Sequence, residues 1–172
     1  MDNRVFLESF SKEQLIELIE IYSKNWLALD GVWFQSIEQS DGMDAAMFHD
    51  ERAWERFTVI EARRIKSFLK LEKYPGLDGL EKALRLRFYG NLNQASFEYR
   101  DNALIYTMER CRVQSARRVK GMPYHPCKSV GIIEYSGFAQ TIDERIECRC
   151  LSCYPDVTDE SCACKWEFTI AE

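Results

Sequence analysis

Five of the seven cysteines in this 172-residue chain fall within CRCLSCYPDVTDESCAC, from Cys148 to Cys164. Thiols at that density can ligate a metal, form disulfides, act as nucleophiles or fill a core. Zinc–sulfur bonds are about 2.3 Å long, so zinc ligands must converge tightly. Cysteines at i and i+2 of an extended strand stand roughly 6.5–7 Å apart. Cys148 with Cys150, and Cys162 with Cys164, are therefore poor chelating pairs. Cys150 and Cys153 have the C-x2-C spacing of a zinc knuckle, at a strand end entering a turn. The loop YPDVTDES returns the chain to Cys162 and Cys164, and Cys127 offers a fourth thiol at a helix start after Pro126. The expected metal set is Cys127, Cys150, Cys153 and Cys164, holding zinc, with Cys148, Cys162 and His125 as substitutes. Thiolates suit iron–sulfur ligation as well. The competing expectation is a set of buried, reduced thiols, since free cysteine is among the most buried residue types. The odd count leaves at least one thiol over in any disulfide scheme.

A catalytic cysteine needs a depressed pKa from a histidine, a cation or a helix N-terminus. Cys127 is the best candidate, because it follows Tyr124-His125-Pro126 and opens a predicted helix whose dipole favours a thiolate. His125 is either its partner or an ordinary loop histidine, and His49 is expected on a solvated helix face. Glu61 and Glu134 fall on the apolar faces of two predicted helices. Lining one pocket, they would serve as acid and base with raised pKa values or hold a polar ligand group. Otherwise each is a buried ion pair with an arginine such as Arg64, Arg117 or Arg118.

These residues need elements to position them. Ser11 with Gln14 forms a capping-box signature. The helix it opens has Leu15, Leu18, Ile19, Tyr22, Trp26, Leu29 and Trp33 on one face, with Asp30-Gly31 as a kink or end. A loop around Asp41-Gly42 leads to a second helix reaching Leu69, with Trp54, Phe57, Ile65 and Phe68 as its stripe and Glu61 in the middle of it. Pro75-Gly76 breaks the chain, and a shorter helix spans about Leu80 to Phe88. From Ala95 to Gln114 alternation and a turn at Asp101-Asn102 predict a β-hairpin. A loop through Pro123 and Pro126 precedes a helix from Cys127 to about Thr141, with Cys127, Val130, Glu134 and Phe138 on one face. A second hairpin pairs the strand of Ile146, Cys148 and Cys150 with that of Cys162, Cys164, Trp166, Phe168 and Ile170. Its period of two turns four cysteines inward. The expected fold is α+β: a helical region over 1–93 packed on a small antiparallel sheet of two hairpins with an intervening helix over 94–172, the two regions forming one integrated domain.

The net charge of −5 and the sequence pI of about 5.2 lack the basic footprint of a nucleic-acid reader. No apolar run approaches the roughly 20 residues of a membrane span. The acidic start MDNRVFLESF has no signal-peptide core, so a cytoplasmic location is expected. In that compartment clustered cysteines are more often metal-binding or catalytic than disulfide-bonded.

From Asn25 to Phe168 the chain resembles an uncharacterised bacterial and archaeal family, on the stretch NWLALDGVWFQSIEQSDGMDAAMFHDERAWERFTVIEARRIK and the cysteine-rich tail. The C-terminal half more distantly resembles vinyl-reductase-type small-ligand-binding domains, through Cys127, Cys150, Cys164, Trp166 and Phe168. Its tail is similar to that of the L-2-amino-thiazoline-4-carboxylate hydrolase family. Those resemblances imply a small hydrophobic ligand, cysteines and histidines holding zinc, or an amide-type ring opening. The chain departs from both groups in its extra cysteines, its two histidines and its long helical N-terminal half.

Three functions follow as expectations. The first is a small-ligand-binding or sensor-like protein with a cysteine-bound zinc. The second is a small hydrolase using Cys127 or a metal-bound water, with Glu134 or Glu61 as acid–base group. The third is a structural protein that forms a homodimer through its aromatic helices, Trp26 and Trp33 among them, with buried reduced cysteines.

Overall fold

A computed structural model describes residues 2–170, and the fold is α+β with the helices first and the strands concentrated in the C-terminal half. A short helix α1 (Asn3–Leu7) precedes α2 (Lys12–Asp41) and α3 (Met43–Phe68). The capping box forms as expected: Ser11 Oγ accepts from the Gln14 backbone N–H, and Gln14 Oε1 accepts from the Ser11 N–H. Helix α2 runs straight through Asp30-Gly31, so that pair neither kinks nor ends it. One glycine is tolerated in a long helix, where it costs only about 1 kcal/mol relative to alanine. The break comes at Gly42, whose φ of 89° lies in the region that favours glycine.

Helix α4 (Gly76–Arg85) and a 3-10 turn (Phe88–Asn91) lead into β1 (Gln94–Arg100) and β2 (Ala103–Arg110), the expected hairpin. The chain then forms α5 (Arg112–Val119), where alternation had suggested that the strand continues to Gln114. Helix α6 (Lys128–Ile142) has Cys127 as its N-cap, and β3 (Ile146–Cys153) and β4 (Cys164–Ile170) close the chain. The sheet is antiparallel in the order β1-β2-β4-β3. Cys162 precedes β4 instead of belonging to it, so it is not one of the inward strand positions.

Strand β3 carries a bulge. Cys150 pairs with Trp166 and Ser152 with Lys165, leaving Leu151 without a register partner. Strict alternation would send Cys153 to the opposite face from Cys150. The extra residue resets the phase, so that Cys153 stands opposite Cys164 and is buried.

Helix α6 packs between the sheet and α3, and α2 lies against α3 on the far side. Two glycines permit that stacking. A Cβ on Gly131 would stand 2.7 Å from the Trp166 ring, and one on Gly137 would stand 2.8 Å from Thr58 Cγ2. The main core joins Ala62, Leu80 and Leu84 to Leu104, Phe138, Ile142, Trp166 and Phe168, so residues from the helical N-terminal region and the sheet share one core. Asp143, after α6, accepts hydrogen bonds from the Gly76 N–H and from Arg145, which pins the loop after α3 against the end of α6.

One expected core stripe lies largely outside, together with the end of a second whose Trp54, Phe57 and Ile65 do pack on the cores. Tyr22, Trp26, Leu29 and Trp33 of α2 are exposed, as is Phe68 of α3. Helix α2 instead turns Ser23, Leu27, Asp30 and Phe34 inward or partly inward.

Candidate functional site: a pocket floored by thiols

Between α2, α3, α5, α6 and the inner face of the sheet lies a cavity of about 390 Å³, the size of many small-molecule sites. Its helical wall carries Asp30 and Phe34 from α2 and Asp50 and Trp54 from α3. Cys127, Cys153 and Cys164 line it from the opposite side, with Trp166 and His125 beside them.

His125 connects the two sides. Its Nε2 lies 3.2 Å from Asp50 Oδ2, and its Nδ1 lies 3.1 Å from Cys127 Sγ. With Nε2–H donating to Asp50, the neutral ring keeps its Nδ1 lone pair free toward the thiols. Gln114 of α5 fixes this corner. Its Oε1 accepts from the His125 N–H at 3.1 Å, and its Nε2 donates to His125 O at 2.7 Å and to Cys127 Sγ at 3.0 Å. On the far side, Trp166 Nε1–H donates to Cys164 Sγ at 3.2 Å.

The thiols interact through Cys153. Hydrogen bonds from Cys127 and then Cys164, with the His125 ring and Lys128 nearby, hold the Cys153 thiol well below the ordinary thiol range against the cost of burial. The same contacts with Cys153, together with burial, push Cys127 and Cys164 up. One negative charge is thus favoured on this group and a second is opposed. Cys150 stands beside Cys153 but does not line the pocket; burial and Cys153 push its thiol up to about 11. Of the four cysteines expected as a set, Cys127, Cys153 and Cys164 line the same pocket, as does His125, and Cys150 does not. Among the described residues, no group of three or more His, Cys, Asp or Glu side chains is placed so that it could hold a metal ion. All seven cysteines are free thiols.

The two glutamates share one cation, and it is none of the arginines named from sequence. Arg87 Nε lies 2.8 Å from Glu61 Oε2, and Arg87 Nη1 lies 2.6 Å from Glu134 Oε1. The second contact is an ion pair without the alignment of a hydrogen bond, and Arg87 Nη2 has no hydrogen-bond partner among the described residues. Burial opposes the charge on Arg87, but the two carboxylates outweigh it and raise its pKa. Arg64 is exposed, and Arg117 pairs with Glu38 instead. Glu134 lines the pocket and Glu61 does not, so the two carboxylates do not form an acid–base pair across one cavity. Burial raises Glu134 to about 7, against the pull of Arg87. Asp30 is raised to about 6 by burial and by the charge of Asp50, with His125 opposing.

Asp50, Gln114 and Arg87 were not picked out from sequence. For Asp50 a signal existed: at 100° per residue it shares the α3 face of Trp54 and Glu61. Gln114 was hidden by the missed helix α5, and Arg87 by a predicted helix carried on to Phe88, whereas α4 ends at Arg85 and Arg87 caps the 3-10 turn.

An α+β fold with a pocket of this kind defines a broad class only. The chain belongs to the family described as Family of unknown function (DUF6125), whose model matches residues 8–170. No curated protein matches it. Neither the vinyl-reductase-type resemblance nor the hydrolase resemblance is shown by these comparisons. Among the described residues, no helix is long and apolar enough to cross a membrane.

Proposed function

We propose that this chain is a cytoplasmic small-ligand-binding protein whose pocket is floored by a cysteine-bound metal, zinc by the chemistry of its donors. Cys127, Cys153 and Cys164 supply thiolates, and His125 Nδ1 supplies the fourth donor. The observation that carries this reading is the line Asp50–His125–Cys127, which ends at Cys153 inside the pocket. A carboxylate on the outer nitrogen of a ligating histidine is a usual partner that fixes the ring and its tautomer. N–H donors from Gln114 and Trp166 to two of the sulfurs suit thiolate better than thiol. A dication also offsets the repulsion that keeps a second thiol protonated in the metal-free group. Apolar rings around the cavity favour a ligand with an apolar body.

Elemental analysis of protein purified without added metal tests this reading. About one zinc per chain is expected for a closed four-donor site. Cys153→Ser and His125→Ala are expected to lose the metal and lower the Tm, whereas Cys150→Ser keeps both. Absence of metal, with no rise in Tm on adding zinc, would sink the proposal.

The same line of residues also supports a second reading, a hydrolase with Cys127 as nucleophile, His125 as base and Asp50 as its orienting carboxylate. Cys127 caps a helix of 15 residues, which favours a thiolate, but its burial and its contact with Cys153 oppose one. Slow alkylation of Cys127 by iodoacetamide in the metal-free protein, with no turnover of amide or thiazoline substrates, would end this reading.

A further inference from the structure

We propose that the outward stripe of α2 is the interface of a homodimer, formed with α2 of a second copy about a two-fold axis. Ten of the large apolar side chains that the structure leaves exposed fall between Val5 and Trp33, and eight of them are on α2. Leu15, Leu18, Tyr22, Asn25, Leu29 and Val32 follow one another at alternating steps of three and four, the spacing by which one helix meets another along a seam. Ile19 and Trp33 widen that seam on one side, while Trp26 between them stacks on Phe57 of its own chain. It lies roughly 150° around the helix from the face of Ser23, Leu27 and Phe34 that meets the rest of the protein. Leu29, Val32 and Trp33 are 65%, 68% and 69% exposed. Scattered apolar residues on a surface need no explanation, but a contiguous helical stripe of them does.

The surface area fits a pair. The chain exposes 11040 Å². A compact monomer of its mass exposes about 8,800 Å², which leaves an excess of about 2,300 Å². Stable dimers commonly bury about 800 Å² per partner, and obligate ones more. An anionic membrane is a poor occupant, because α2 carries Glu13, Glu17, Glu20, Asp30, Glu38 and Asp41 against only Lys12 and Lys24. A second copy is the natural one: a stripe of this kind is self-complementary about a two-fold axis, and Asn25, a lone polar residue in the seam, can set the register. The opposite face of α2 walls the pocket with Asp30 and Phe34, so the dimer would hold that wall in place.

Sedimentation equilibrium between 1 and 100 µM tests the proposal. The full chain is expected at twice its 20.2 kDa. Leu29→Glu is expected to give a monomer. Val32→Lys changes a side chain that is mostly solvated within one chain, so it breaks the pair without disturbing the fold, as unchanged circular dichroism would verify. Val119→Lys, exposed and off the stripe, is the control that stays dimeric. A wild-type mass of one chain at 100 µM overturns the proposal. So does a dimer that survives both α2 substitutions, since its interface then lies elsewhere.

Discussion

His125 Nδ1 faces the sulfur of Cys127, two residues on, at 3.1 Å. Two residues so close in sequence meet because Pro126 and the first turn of α6 fold the chain back, and because Gln114 bonds both. The remaining ring nitrogen points to Asp50, 75 residues earlier in the chain. A local turn thus aims the ring and a distant carboxylate fixes its tautomer.

Replacing Asp50 with Asn tests whether that carboxylate serves a metal. Loss of a carboxylate behind a ligating histidine typically lowers metal affinity about 10–100-fold. Asp50→Asn is expected to weaken zinc binding by that factor, measured by competition with a chromophoric chelator, while the metal-free protein melts near the wild-type temperature. Unchanged affinity would remove Asp50 from the site and His125 with it.

Glu134 predicts a pH dependence of stability. In the unfolded chain it titrates near its ordinary value of 4.5, and in the fold near 7. The native state therefore binds this proton more tightly, and the stabilisation is complete below about 4.5. It is lost as the pH rises through 7, in total about 3 kcal/mol for a shift of this size. Arg87, Glu61 and Asp50 are the charged groups acting on it. Urea unfolding of wild type and Glu134→Gln across pH 4.5–8 isolates this contribution. The difference between the two curves is expected to grow in favour of the glutamine variant through that window. Parallel curves would mean that Glu134 ionises normally in the fold.

Much of this arrangement was legible in local pattern. The capping box, the turn at Asp101-Asn102 and the helix opened by Cys127 each depend on a few neighbouring residues, and each is present. Glu61 and Glu134 were placed on buried faces by helical phase alone, and both are buried. Their partner was not legible, because Arg87 reaches them from a 3-10 turn 26 residues beyond Glu61. Cys153 was found by its spacing from Cys150, yet the register that turns it inward depends on a bulge that alternation does not reveal. The face of α2 was misread for a physical reason: an apolar stripe records that a surface is hidden from water, not which surface hides it.

Gly131 sets how closely α6 approaches the sheet at the edge of the pocket. In an open helix, Gly→Ala would add up to about 1 kcal/mol of stability. Here the new methyl would meet two atoms of the Trp166 ring at 2.7 and 2.8 Å. Trp166 is 1% exposed, so its ring has little room to retreat, and overpacking of this kind costs about 1–3 kcal/mol. Gly131→Ala is therefore expected to destabilise the protein by about 1–2 kcal/mol net. It should also disturb the Trp166 Nε1–H···Cys164 contact, seen as a shift in tryptophan emission and a weaker hold on zinc. A variant more stable than wild type, with metal affinity intact, would show that α6 can lift from the sheet without cost, and that the close approach at Gly131 does not position the thiols.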